Sequence, residues 1–215
     1  IVTANNAFAH MDDLIGMLKS IKNLMQPDGI FVFEVSYLLD VIQKILLGTI
    51  FHEHHSYHSL KPLVKFMKRH DMEIIDVERV TIQGGSLIGT AQIIGGPHKI
   101  SSSVEKLLQL EEKNELDNPE TLKKFSSKMK KLKDDIGKIL NDFKKQGKTI
   151  AGFGAARSGT TLITQMGIGK LLDFIVDDNP LKQGLFTPTT HIPVLSADVL
   201  YERKPDYLLI LAWNF

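Results

Sequence analysis

The chain has 215 residues, 43% of them apolar, with 26 Lys plus Arg against 25 Asp plus Glu for a net charge of +1. That is enough apolar material for one large or two small cores, and no field to gather nucleic acid or an anionic membrane, so a small molecule is the expected partner. The absence of cysteine excludes disulfides and thiolate metal sites and leaves the cytoplasm as the default compartment, and no apolar run approaches the ~18–20 residues of a membrane-spanning helix.

The first residues, Ile1 to Ala4, read as the inside of a strand rather than as a leader. Leu14, Met17, Leu18, Ile21, Leu24 and Met25 then recur at three and four, the spacing of one helix face, and Pro27-Asp28-Gly29 stops the helix. IFVFEVSY has the aromatic and β-branched content of a buried strand. Helices follow over LLDVIQKILL and LKPLVKFMKRH, then strands over MEIIDVERV and GGSLIGTAQIIG joined by a turn containing Gln83, Gly84 and Gly85. Strand, helix, strand, helix and a closing hairpin describe the second half of an α/β sheet.

Residues 101–147 are dense in Lys and Glu and carry no strand signal. Leu122, Phe125, Met129, Leu132, Ile136, Ile139 and Phe143 alternate by three and four, Asn118 is placed to cap, Pro119 takes the first helical position, and Gly147 follows a lysine-rich last turn. The spacing predicts one long helix, which either covers its own domain or forms a short coiled-coil seam. From Lys148, TIAGFG, SGTTLITQM, LLDFIVDD, LSADVLYERK and DYLLILAW alternate as strand, helix, strand, helix, strand. This βαβαβ unit is expected to be parallel and right-handed, as in half of a Rossmann fold. The abrupt start at Ile1 and the stop at Phe215, where a loop would begin, read as cuts through larger folds.

Two constellations carry chemistry. FHEHHSYHS, residues 51–59, holds four of the eight histidines. The zinc-protease pattern His-Glu-x-x-His fails, because Ser56 stands where its second histidine belongs. His54 and His58 have i, i+4 spacing, but without cysteine or a further nearby carboxylate no metal site is expected. Proton transfer and a solvated loop remain the two readings, the first because imidazole titrates near neutrality and Glu53 can orient it. The second constellation is Gly152, Gly154 and Gly159 at a strand-to-helix junction, wider than the dinucleotide fingerprint, with Asp177 and Asp178 ending the next strand. Its amides, with Ser158 and Thr160, suit a phosphate, and Lys182 could add a cation; a purely structural turn with a solvated lysine is the alternative.

Taken together, ANNAFAH, PDGIFVFEVSY, IFHEHHSYHSLKPL, VERVTIQGGSL, GKTIAGFGAARSGTT, FIVDDNPLKQGLFTPTTHIPVLS and PDYLLILAWNF resemble, in that order, the sugar C-methyltransferases that methylate a nucleotide-linked 4-keto-deoxysugar at C3. The likeness spans nearly the whole chain apart from the helices between about 101 and 147. It implies a partial class I methyltransferase sheet over 1–100, a helical linker over 101–147, and a Rossmann-like sugar-nucleotide domain over 148–215.

The same resemblance implies His54 as general base with Glu53 beside it, and His10 as donor to the keto or enolate oxygen. It places Asn5 and Asn6 at the methionine end of S-adenosylmethionine, and Gly154, Ala155, Ser158, Gly159 and Lys182 at the nucleotide sugar. The family often has tyrosine where this chain has Phe51, which removes a phenol from the site. The adenosine cradle would precede residue 1, so these 215 residues alone are expected to bind the cofactor poorly and to turn over little. The competing readings are a non-catalytic nucleotide-binding or scaffold module and an NAD(P)-dependent oxidoreductase built on the 152–159 loop; the widened glycine spacing weighs against the oxidoreductase.

Overall fold

The computed structural model describes residues 1–212. The chain divides into two compact units, one of Ile1–Leu46 and His52–Lys123, the other of Leu47–Phe51 and everything from Lys124 onward.

In the first unit the strands are β1 (Val2–Asn5), β2 (Phe31–Ser36), β3 (Met72–Val80) and β4 (Ser86–Ile93). They lie in the order β1-β2-β4-β3. β1 and β2 are parallel, whereas β4 runs antiparallel to both of its neighbours, so the closing hairpin folds its last strand back into the middle. The parallel pair is joined by α1 (Leu14–Leu24), whose first turn is capped by Asp13 accepting from the Gly16 amide at 2.8 Å. Phe8 lies on Phe33, rings stacked with centroids 5.2 Å apart, and tilts against Phe31. The ring of Phe33 in turn covers Gly89, where a Cβ would collide with it.

Two helices, α2 (Leu38–Lys44) and α3 (Leu60–Arg69), lead from β2 to β3. α2 is shorter than the apolar run LLDVIQKILL predicts, because Ile45 turns left-handed at φ 55°. Its neighbours explain the turn: Leu46 is buried in the first unit, while Leu47 packs on the core of the second.

α4 (Ser102–Lys113), within the stretch read from sequence as linker, packs on β3 and α3. Its Glu111 accepts from the amides of Leu60 and Lys61 at 2.5 and 2.9 Å, and from the Tyr37 hydroxyl at 3.0 Å. A buried carboxylate thus caps a helix that is remote in sequence. Burial, then the Glu111 charge and hydrogen bond, hold the Tyr37 phenol well above its ordinary range. Asp40 is fully buried and takes a two-point contact from Arg79, both bonds 2.8 Å, plus Lys44 at 2.7 Å. Burial pushes its carboxyl up, but the two cations outweigh that and the net direction is down.

The long helix α5 (Pro119–Lys145) begins as expected, with Asn118 accepting from Glu120 at 3.0 Å, and Gly147 beyond its end takes φ 73°. In the second unit Met129, Ile136, Leu140 and Phe143 pack on that unit's own core, and Phe143 stacks on Tyr207. This part of the helix therefore covers its own domain.

The sheet it covers has β5 (Ile150–Phe153), β6 (Phe174–Val176), β7 (Val194–Leu195) and β8 (Tyr207–Ile210) in the order β7-β6-β5-β8, all pairs parallel. The two-residue β7 is too short to show a period in sequence. The expected extension of the last strand to Trp213 lies outside the described residues. α6 (Arg157–Met166) contributes Ile163 and Met166 to the core that α5 covers, and α7 (Val199–Arg203) packs with Ala151, Phe174 and Val176, so the sheet is doubly wound. The strand order reverses between β5 and β8, and in such sheets ligands bind beyond the strand ends at that point.

Candidate active site

In the first unit β1 ends at Asn5, and Asn6 takes φ 51°, a left-handed conformation that asparagine adopts more readily than most side chains. The Asn6 amide donates to the Glu34 carbonyl at 2.8 Å, so the turn is pinned to β2. A single 3-10 turn, Phe8–His10, follows, with Phe8 and Ala9 buried and His10 exposed. The phenylalanine anchored on β2 thus fixes where the histidine stands.

The 52–59 loop is tied to the same turn. The His55 amide donates to the Ala9 carbonyl at 2.7 Å, and the Leu38 amide donates to the His58 carbonyl at 2.9 Å. As a result the His10 and His54 rings meet edge to face, centroids 4.9 Å apart at 76°. His54 is half-buried with its Nδ1 enclosed. The phenol ring of Tyr57 stands 6.2 Å from His54, also edge-on, so an aromatic hydroxyl side chain adjoins the histidine although Phe51 carries none. Glu53 lies 3.8 Å from His52.

The remaining histidines of the cluster serve other ends. His55 pairs with Asp12 at 2.6 Å. His58 is buried, its Nε2 3.0 Å from Ser56 Oγ and its ring edge-on to Phe8. Burial pushes its pKa down to about 4; a hydrogen bond to the Phe8 backbone opposes this and the charge of His54 adds to it. No group of three or more His, Asp or Glu side chains among the described residues is placed to hold a metal ion. Glu34, near the end of β2, is 8% exposed, and its Oε1 is buried without a hydrogen-bond partner among the described residues.

In the second unit Gly154 follows β5 at φ 94°, and a Cβ there would stand 2.5 Å from that of Ala212. Only glycine fits so close an approach. Asp177, at the end of β6, holds this loop: its Oδ2 accepts from the Ala155 amide at 2.8 Å and from Lys182 at 2.9 Å, and its Oδ1 from the Asn179 amide at 2.9 Å. Burial raises its carboxyl, but the Asn179 and Ala155 amides and the Lys182 ammonium lower it more. Lys182 is therefore a partner of Asp177, and both Asp177 oxygens are committed to protein donors. Ser158 is half-buried and Gly159 buried in the first turn of α6, beside the loop. The sequence pattern brings Gly154, Ala155, Ser158 and Gly159 to one strand-to-helix junction, whereas the role of Asp177 as its clamp had no local signal.

A family model described as the C-methyltransferase C-terminal domain matches residues 81–215. The chain is also 32% identical over 216 aligned residues to the C-methyltransferase NovU of Streptomyces niveus; the match covers all of this chain and 51% of that protein. The chain thus spans about half the length of the curated relative it matches.

Proposed function

The chain belongs to the C-methyltransferase family, and from that premise we propose that it is part of an S-adenosylmethionine-dependent enzyme that methylates C3 of a nucleotide-linked 4-keto-deoxysugar. The observation that carries this reading is the edge-to-face pair of His10 and His54, assembled from two loops by the His55 to Ala9 hydrogen bond. A proton on carbon beside a ketone is weakly acidic, so its removal needs a base titrating near neutrality together with a donor for the developing enolate oxygen.

When bound, the cofactor supplies an electrophilic methyl group. Asn5 and Asn6 would hold its methionine end at the carboxyl edge of β1; the left-handed turn at Asn6 and the orphaned buried oxygen of Glu34 fit a polar ligand there. His54 removes the C3 proton, Glu53 orients or charge-balances the imidazole, and His10 donates to the keto oxygen as it becomes an enolate. In the second unit the Gly154–Ala155 loop, whose two amides are engaged by the Val176 carbonyl and by Asp177, sets the N-terminus of α6 with Ser158 and Gly159 to receive the phosphates of the sugar nucleotide, and Lys182 serves by holding Asp177 and the loop in place.

The test uses the full-length polypeptide with the ketosugar nucleotide in deuterated water. Wild type is expected to exchange the C3 hydrogen and, with cofactor, to give a product heavier by one methyl group. His54→Gln is expected to bind S-adenosylhomocysteine normally and to lose both exchange and turnover. Unchanged exchange in that variant would move the base to His10, and absence of methylated product from wild type would sink the reading.

A further inference from the structure

The described residues include four buried acids, and three are matched by donors. Asp40 has Arg79 and Lys44, Glu111 has Tyr37 and two helix amides, and Asp177 has two amides and Lys182. The fourth, Glu34, stands in the apolar strand FVFEVS with Oε1 buried and unpartnered. A fold that neutralises every other buried acid has left this one open, and a local rule broken without compensation is characteristic of a functional position.

Its place in the sheet is specific. Glu34 is the register partner of Asn5 in the parallel β1–β2 pair, so the two side chains project from one face, at the carboxyl edge where α/β sheets take ligands. A desolvated carboxylate calls for a donor, preferably a cation. A sugar nucleotide offers neutral hydroxyls, weaker donors to a carboxylate than a cation, and anionic phosphates, which a carboxylate repels. The amino-acid end of the cofactor offers an ammonium.

We propose that Glu34 is a cofactor-binding residue whose carboxylate receives the ammonium of the cofactor's amino-acid end; this rests on the methyltransferase reading above. The complement to Glu34 then arrives with the ligand, since its Oε1 has none among the described residues.

The experiment titrates the full-length polypeptide and its Glu34→Gln variant with S-adenosylhomocysteine and with 5′-methylthioadenosine, which keeps the adenosine but lacks the amino-acid end. Glu34→Gln is expected to weaken S-adenosylhomocysteine at least tenfold, to leave 5′-methylthioadenosine within twofold, and to melt, without ligand, at or above the wild-type temperature. Glu34→Leu should melt higher still and show the same selective loss. Unchanged S-adenosylhomocysteine affinity, equal weakening of both ligands, or a lowered ligand-free melting temperature each overturns the proposal, the last by showing an ordinary structural role. If wild type binds neither ligand, the methyltransferase reading fails and takes this inference with it.

Discussion

His10 lies edge-on to His54 with ring centroids 4.9 Å apart, although one follows β1 and the other lies between α2 and α3. The hydrogen bond that the His55 amide donates to the Ala9 carbonyl ties the two loops together. Proline at position 55 removes that donor. His55→Pro is therefore expected to keep cofactor affinity while turnover of the full-length enzyme falls about 10²-fold, the usual cost of misplacing reacting groups by an ångström. His55→Ala keeps the amide and loses only the exposed contact with Asp12, so its turnover should stay within about twofold. Steady-state kinetics of the two variants side by side checks this, and equal losses would show that the side chain rather than the backbone sets the geometry.

His58 gives the fold a pH dependence with a definite sign. Its folded-state pKa is pushed down from 6.5 to about 4, so between those values the unfolded chain binds a proton that the folded chain refuses. The stabilisation is full above about pH 6.5 and is lost as pH falls toward 4. Between pH 7.5 and 4.5 it should amount to about 2 kcal/mol. Urea titrations at the two pH values, wild type against His58→Gln, should show the wild type losing about that much more than the variant. Equal losses would mean that the buried ring is not the responsible group.

What the sequence showed and what it hid divide by range. α1, α5 and β2 were legible because their apolar period, caps and breakers are local: Leu18 and Ile21 fall on one face, Asn118 precedes Pro119, and Gly29 follows Pro27. The Gly154 turn was legible for the same reason. The docking of α4 on α3 was not, since nothing in residues 102–113 names the backbone amides that Glu111 finds at Leu60 and Lys61. The histidine cluster shows both sides of this. Its composition marked the site, but only long-range bonds decide that His54 meets His10, that His55 turns to Asp12, and that His58 goes to the interior. Glu34 had no signal at all, because one acid in an apolar strand looks like any strand with a polar face until its burial is known.

Glu111 should prove a stability residue of the first unit. Three donors converge on its two oxygens, two of them amides of the first turn of α3. Glu111→Leu fills comparable space and leaves those amides and the Tyr37 hydroxyl without an acceptor, at a cost of about 3 kcal/mol. Glu111→Gln keeps one acceptor oxygen and should cost about half as much. Chemical denaturation of both variants measures the ordering; a leucine variant as stable as wild type would mean that water replaces the carboxylate.

Asp177 makes the corresponding prediction for the second unit, and here the readout extends to the ligand. Its Oδ2 faces two donors, the Ala155 amide and Lys182, while Oδ1 faces the Asn179 amide. Asparagine has one acceptor oxygen and one donor nitrogen, so in either orientation an N–H of the side chain is set against a donor. Asp177→Asn is therefore expected to destabilise the unit by about 1–3 kcal/mol and to release Lys182 from its pairing. The loop that carries Gly154 and Ala155 then loses its clamp, and the affinity of the full-length enzyme for the nucleotide sugar should fall about tenfold while that for S-adenosylhomocysteine stays unchanged. Calorimetric titration with each ligand separates the two, and a parallel loss of both would show that the loop is not dedicated to the sugar nucleotide.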